Sequence, residues 1–396
     1  MKKKIILLTI FLMVVLLTGC QESNTDYTQT GGGSEQLAYL LEGCEGEGTI
    51  ILNEIPMEWE DLEMVQPMGG VHGDHVTPVD HTYWVAKEGE MWEPGADYDK
   101  SYRYNIKAPA DGVIRVIEVF ELDDHRLELV HTCDFYSIFI HFDISDEILT
   151  AAGIDPQHSE YLHKEVNVPV EEGQVIGTNF RLSFDFSLHY TEKESQFIYP
   201  EHYESAYWVL HAVDIFDYFN ESIRDKLLDL SVRKEPPYGG KVDYDIDGRL
   251  IGNWFEEDTN WFAGTDEFEY YKTHIAIVYD DIDPDFIMVS FGDYEGESMQ
   301  FGVKGNSPDP ADVSVETGLV KYELVRFSYF NGSLDIDNIW TEGYSGEIFA
   351  SSDGFPVIGT VLFQLVEDQK LKMEIFPGQT ANEVPDFTSN VKFFER

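Results

Sequence analysis

Basic residues are scarce in this chain. Only 26 Lys and Arg stand against 75 Asp and Glu, a formal net charge of -49 over 396 residues. A nucleic-acid binder needs a basic face to neutralise phosphates, so that class is excluded. Anionic lipid headgroups would repel such a surface as well. The acidity itself reads as a solvated surface that keeps the protein soluble. Long apolar runs are also missing. Ile5 to Leu17, interrupted only by Thr9, is thirteen residues long, and a bilayer span needs about 20. Cysteine occurs only at 20, 44 and 133, positions ill suited to thiol catalysis. No Gly-rich phosphate loop and no local Ser-His-Asp signature is present. Disorder is excluded in turn, because 43% of the residues are hydrophobic and 14% aromatic.

The N-terminus has the layout of a targeting signal. Lys2, Lys3 and Lys4 precede the apolar run, which ends Leu17-Thr18-Gly19-Cys20. That ending resembles the lipobox of prokaryotic lipoproteins, in which small residues expose the bond before an acylated Cys. The resemblance implies a signal peptide over 1–20, lipidation of Cys20, a membrane anchor and an extracytoplasmic location. Residues 21–45 read as a flexible tether, polar from Gln21 to Gln36 and including Gly31-Gly32-Gly33-Ser34. About 16 such residues reach roughly 20–25 Å. Outside the cytoplasm Cys44 and Cys133 can pair; two buried thiols are the alternative.

The remainder is long enough for two domains. Eleven of the twelve histidines lie between 72 and 211, which marks that segment for metal or proton chemistry. Short β-type runs fill it: Gly112 to Phe120, Leu127 to His131, Tyr136 to Phe142, Gln174 to Ile176 and Phe184 to Tyr190. A helical stripe of Ile215, Phe216, Phe219, Ile223, Leu227 and Leu230 predicts a helix over 213–232. Pro236-Pro237-Tyr238-Gly239-Gly240 then breaks the chain. The first domain is thus a β domain over 46–235 that ends in a short helix.

The second domain, 241–396, pairs Ile275–Tyr279 with Phe286–Phe291, and Val361–Val366 with Leu371–Phe376, as hairpins. It reads as an antiparallel β barrel or sandwich, and Gly252-Asn253-Trp254 resembles the Gly-x-Trp of lipocalin-like barrels. Asp243, Asp245 and Asp247, followed by Gly248, have the alternation that opens a calcium loop; the twelfth-position Glu of an EF-hand is replaced by Trp254.

Six landmarks occur in order between 69 and 191. They are His75 and Asp80; Ala108-Pro109-Ala110-Asp111-Gly112-Val113; His131 at a strand end; Phe139-Ile140-His141-Phe142; Val170-Glu171-Glu172-Gly173-Gln174-Val175-Ile176-Gly177; and Ser187-Leu188-His189-Tyr190. In this the sequence resembles the lysostaphin/LytM-type zinc metallopeptidases, antiparallel β domains that cleave cell-wall peptides. The resemblance implies zinc on His75, Asp80 and His189, with His141 as a catalytic His that orients or deprotonates the water. His81 and His131 would be structural or outer groups beside the metal. The stretches Thr82 to Lys107 and Asp143 to Val168 look like insertions.

Two departures stand out. The spacing from His75 to Asp80 is one residue longer than in the family. Position 187, where the family has a second catalytic His, is Ser187. Positions 187 and 189 share a face of a strand, so residue 187 would address a metal-bound water. A His there is typically worth 10²–10⁴-fold, and a Ser hydroxyl cannot hold a proton near neutral pH. The expectation is therefore an extracytoplasmic zinc endopeptidase of reduced activity. The alternative is a catalytically inactive relative that binds a cell-wall peptide, a glycan or a protein partner. A third reading puts an apolar ligand inside the C-terminal barrel.

Overall fold

The computed structural model of the chain describes residues 33–91, 98–266, 269–331, 334–336, 339–340 and 348–396. The signal segment and Cys20 lie outside the described residues. The protein is mainly β, with antiparallel sheets. After α1 (Gly33–Leu40) come β1 (Leu62–Gln66), β2 (Thr82–Ala86), β3 (Tyr104–Lys107), β4 (Gly112–Glu121), β5 (Asp124–Val130) and β6 (Phe135–Ile144). Then follow α2 (Asp146–Ala151), β7 (Leu162–Val170), β8 (Val175–Asn179), β9 (Ser183–Tyr190), α3 (Tyr207–His211), β10 (Ala212–Val213) and α4 (Glu221–Leu230). The main path of this sheet runs β1-β2-β9-β6-β5-β4-β7, with β10 on β9 and β8 joining β3 to β6.

An interior strand of that sheet is β9, hydrogen-bonded to β2 on one side and β6 on the other. Its alternation sends Phe184, Phe186 and Leu188 into the main core with Trp84, Leu127, Phe135 and Phe139. Asp185, Ser187 and His189 take the opposite face, which is also buried.

Three expectations change on this domain. The helix expected over 213–232 is two pieces, because Asp214 caps the Phe216 amide (2.9 Å) and Asn220 caps the Ile223 amide (3.1 Å). Each side chain competes for backbone donors and restarts the chain locally. The stretch from Thr82, expected to be an insertion, opens with β2, which is integral to the sheet. Residues 33–45, expected as tether, are docked: Leu40 of α1 packs among Val116, Val130, Tyr136 and Ile138, and Cys44 is bonded to Cys133. A loop of that length, closed by a disulfide, stabilises by about 4–5 kcal/mol in the chain-entropy account.

The second domain is a closed barrel of eight strands, β11 (Gly252–Glu256), β12 (His274–Tyr279), β13 (Ile287–Tyr294), β14 (Glu297–Val303), β15 (Val320–Val325), β19 (Val357–Glu367), β20 (Lys370–Pro377) and β21 (Lys392–Glu395). Each barrel strand pairs with the next in sequence, and β21 closes onto β11. Between β15 and β19 a small sheet is inserted from β16 (Ser328–Asn331), β17 (Leu334–Ile336) and β18 (Ile348–Ser351). Trp254, Phe291, Tyr322, Phe363 and Leu371 fill the interior, so the reading of an apolar ligand held inside the barrel is set aside.

Arg396 lies over Trp254, its guanidinium 3.8 Å from the ring, and is paired with the buried Asp245 at 3.6 Å. Removing one partner of such a pair strands the other charge. Arg396→Met should therefore lower stability in urea by about 3–5 kcal/mol, and adding Asp245→Asn should recover much of the loss.

The domains meet over a mixed interface. Met64, Val79, Tyr83 and Val85 pack against Ile282, Ile336 and Ile348. Gln66 Nε2 donates to Asp281 Oδ2 at 2.8 Å, Trp340 Nε1 donates to Gln66 Oε1 at 2.7 Å, and Arg233 donates to the Asp281 carbonyl at 2.7 Å. Burial and the adjacent Asp280 push the Asp281 carboxyl well above the usual range.

A raised folded value means that the native state keeps a proton which the unfolded chain releases near pH 4. Its contribution is full below that point and is lost as pH rises through the folded value. Asp281→Asn should therefore flatten the decline in unfolding free energy between pH 5 and pH 9. Asp280, shifted the same way by burial, leaves part of the slope.

Candidate functional site

Cross-strand register assembles a polar seam on the sheet face opposite the main core. Asp185, Ser187 and His189 of β9 lie opposite Ile140, Ile138 and Tyr136 of β6, and Asp185 lies opposite Tyr83 of β2. His81 directly precedes β2 and enters the seam. Its Nε2 is 3.3 Å from Asp185 Oδ2 and 3.1 Å from the Tyr83 hydroxyl, and its Nδ1 is 3.7 Å from Asp80. The Tyr83 hydroxyl is in turn 2.9 Å from His72 Nε2.

From the other side comes His141, at φ 65° in a bulge where β6 slips against β5. That conformation is costly for a residue with a side chain and marks an imposed geometry. The bulge brings His141 Nδ1 to Asp124 Oδ1 at 3.0 Å and Nε2 to within 3.8 Å of Asp185 Oδ2. Burial opposes the charge of Asp124, but His141 and Arg181 hold its carboxyl below the usual range. The result is a chain of contacts from His72 through Tyr83, His81 and Asp185 to His141 and Asp124. Such a chain can hold and pass protons.

The proposed zinc set is arranged differently. His75 pairs with His72 through two backbone hydrogen bonds, and its ring stands edge-on to His81 with centroids 5.5 Å apart. Burial opposes the charge of Asp80, yet the hydrogen bond and charge of His81 hold its carboxyl at about 2. His189 Nδ1 lies 3.0 Å from the Trp208 carbonyl, which requires a proton on that nitrogen. Its Nε2 therefore accepts from the Ser187 hydroxyl at 2.7 Å. Tyr136 stacks on the ring, 4.7 Å between centroids. Burial presses the His189 imidazole down to about 3, against the pull of Asp80.

Both ring nitrogens of His189 are thus engaged inside the protein. Among the described residues no three His, Cys, Asp or Glu side chains converge to hold a metal ion. The donor set His75, Asp80 and His189 does not fit zinc as it stands.

The outer assignments divide. His81 is a central member of the seam, beyond the supporting role expected of it. His131 is elsewhere: its nitrogens contact the Asp111 carbonyl (2.9 Å) and the Ser137 hydroxyl (3.0 Å). Ser137 lies opposite Leu188, so it belongs to the other face of the sheet. The calcium expectation changes too. Asp243 accepts from the Gln196 amide (2.5 Å), Asp245 from the Asn253 amide (3.0 Å), and Asp247 from Gln369 (2.5 Å). Each carboxylate has a different protein partner, and Arg396 supplies the positive charge beside Asp245.

A cleft of about 120 Å³ opens between the seam and the barrel. It is lined by His75, Asp80 and His81 from the loop before β2, by Trp208 of α3, and by Phe262 and Tyr270 from the turns around β11 and β12. Beneath it Arg126 bridges Glu128 (2.6 Å) and Glu118 (3.4 Å) under the Trp208 ring. Sequence reasoning missed Asp185, Tyr83 and Trp208. Asp185 was detectable as the residue two before Ser187 on the same strand face; Trp208 carries no local signal.

Comparison with protein-family models and with curated proteins finds no match to this chain.

Ser187→Ala should leave His189 Nε2 buried without its donor. The expected loss is about 1–3 kcal/mol in urea unfolding, and an unchanged midpoint would show that the hydroxyl is dispensable.

Proposed function

We propose that the chain is a catalytically inactive LytM-like binding module, held outside the cytoplasm by a lipid on Cys20, that takes a cell-wall peptide in the cleft between its two domains. The observation that carries this is the hydrogen bond from Ser187 to His189 Nε2. It engages one ring nitrogen of the residue expected as a zinc ligand, from the position where the second catalytic His is missing, and the Trp208 carbonyl engages the other. The engagement of Asp80 by His81 works in the same direction. The cleft supports binding because it is concave and offers aromatic walls beside fixed polar groups. The Cys44–Cys133 disulfide supports an oxidising compartment.

The test is elemental analysis of metal-supplemented protein, followed by calorimetry with solubilised wall fragments. Substoichiometric zinc, intact fragments and saturable binding weakened about tenfold by Trp208→Ala are expected. One zinc per chain, lost in His189→Ala and accompanied by fragment cleavage, would establish the endopeptidase instead.

A further inference from the structure

The barrel meets the first sheet through a loop that carries neighbouring acids. Asp280 and Asp281 directly follow β12, and each is 3% exposed. Asp280 is surrounded by donors: its Oδ1 accepts from the amides of Ile282 (3.0 Å) and Asp283 (2.8 Å), and its Oδ2 from the Tyr329 hydroxyl (2.6 Å). Asp281 reaches across to the first domain, where its Oδ2 accepts from Gln66 Nε2 of β1. Its carboxyl also lies flush against bare backbone, because a Cβ on Gly70 would stand 3.3 Å from it. Trp340 holds the Gln66 amide from the other side. Neutral groups of the opposite domain thus fix this carboxyl in place.

The charges around Asp281 do not balance a second anion. On its own loop stand Asp280 and Asp283, with Asp285 exposed beyond them. Tyr244, ahead of β11, and Tyr329 of β16 are phenols that burial keeps neutral. The guanidinium acting on Asp281 is that of Arg233, after α4. It is engaged by the carbonyls of Asp281 (2.7 Å) and Glu235 (2.9 Å). Lys241 lies over the Tyr244 ring and pairs with Asp243 at 3.5 Å. Ionising Asp281 inside the closed junction therefore sets like charges side by side where water does not screen them. Once the loop leaves, water solvates the carboxyl and it ionises in the ordinary range.

We propose that this junction is a proton-operated latch between the two domains. Protonated Asp281 keeps the barrel docked, and rising pH drives the loop off Gln66 and Gly70 as the second carboxylate forms. The junction and the cleft share a wall. Gly69 and Gly70 exchange backbone hydrogen bonds with Val79 (2.8 and 3.1 Å), in the same β1–β2 connection that carries His75 and Asp80 into the cleft. Release at Asp281 frees that wall, so the cleft widens toward higher pH. Opening releases a proton, and the open fraction therefore grows by at most about tenfold per pH unit until the closed-state value is passed. Burial and Asp280 set that value high. The latch does not depend on the cleft taking a wall peptide.

The experiment is hydrogen exchange of the purified protein between pH 5 and pH 8, read by mass spectrometry and corrected for the intrinsic pH dependence of exchange. Segments 69–79 and 280–287 should exchange at least about tenfold faster at the upper end, while β9 and β13 keep their protection. Asp281→Asn keeps an acceptor for Gln66 and carries no charge, so both segments should stay protected across the range. Asp285→Asn removes the exposed acid of the same loop and should leave the response intact. Protection in the unaltered protein that does not change with pH would overturn the proposal without recourse to a variant. Loss of protection in β9 and β13 alongside the two segments would overturn it as well, since that is global unfolding. A full response in Asp281→Asn, or its disappearance in Asp285→Asn, would take the latch away from Asp281.

Discussion

A strand with solvent on neither side must satisfy every polar atom it carries from within the protein, and β9 is such a strand. One face contributes Phe184, Phe186 and Leu188 to the largest core. The other presents a carboxylate, a hydroxyl and an imidazole to a closed environment, where an unpaired polar group costs several times what a hydrogen bond returns. The surroundings follow from that demand. His81 arrives from the residue before β2 with Tyr83 behind it, the bulge in β6 turns His141 inward, and the backbone of α3 offers the Trp208 carbonyl to His189. His81, His141 and that carbonyl are each a partner for a group on β9.

The same demand explains how so acidic a chain keeps carboxylates in its interior. Glu118, Glu128 and Asp124 are buried, as is the side chain of Asp245, and Arg126, Arg181 and Arg396 are buried beside them. Part of the scarce positive charge is therefore placed in the interior, opposite these carboxylates. Among the described residues no guanidinium forms an ion pair with the Asp280 or Asp281 carboxyl, and Arg233 instead donates to the Asp281 carbonyl. Their burial at the junction of the domains is met by hydrogen bonds from Tyr329 and Gln66.

Much of the fold was legible because the runs that specify strands are long and alternate. The expected strand at Tyr136 to Phe142 lies inside β6, and both expected hairpins of the second domain are barrel strand pairs. The helix at 213–232 was over-read, since the apolar stripe continues through Asp214 and Asn220, whose capping depends on local geometry that periodicity does not encode. The site was legible only in part. His75, Asp80, His81, His141, Ser187 and His189 lie in or around one seam. Which atom each contacts depends on register and on one bulge, neither of which composition or motif spacing carries. Arg396 against Trp254 joins residues 142 positions apart, a distance over which a single sequence gives no signal.

The covalent link between Cys44 and Cys133 also sets how the molecule responds to mechanical force. A pull on the chain ahead of Gly33 can peel away α1 and the few residues after it, a length of about 40 Å when extended. It then meets the disulfide, and the load passes directly into the turn between β5 and β6, at the centre of the sheet. Unravelling from that end stops at residue 44. A protein held by its N-terminus to a moving surface would yield first in this short stretch, as a shock-absorbing leash, with the folded body left intact.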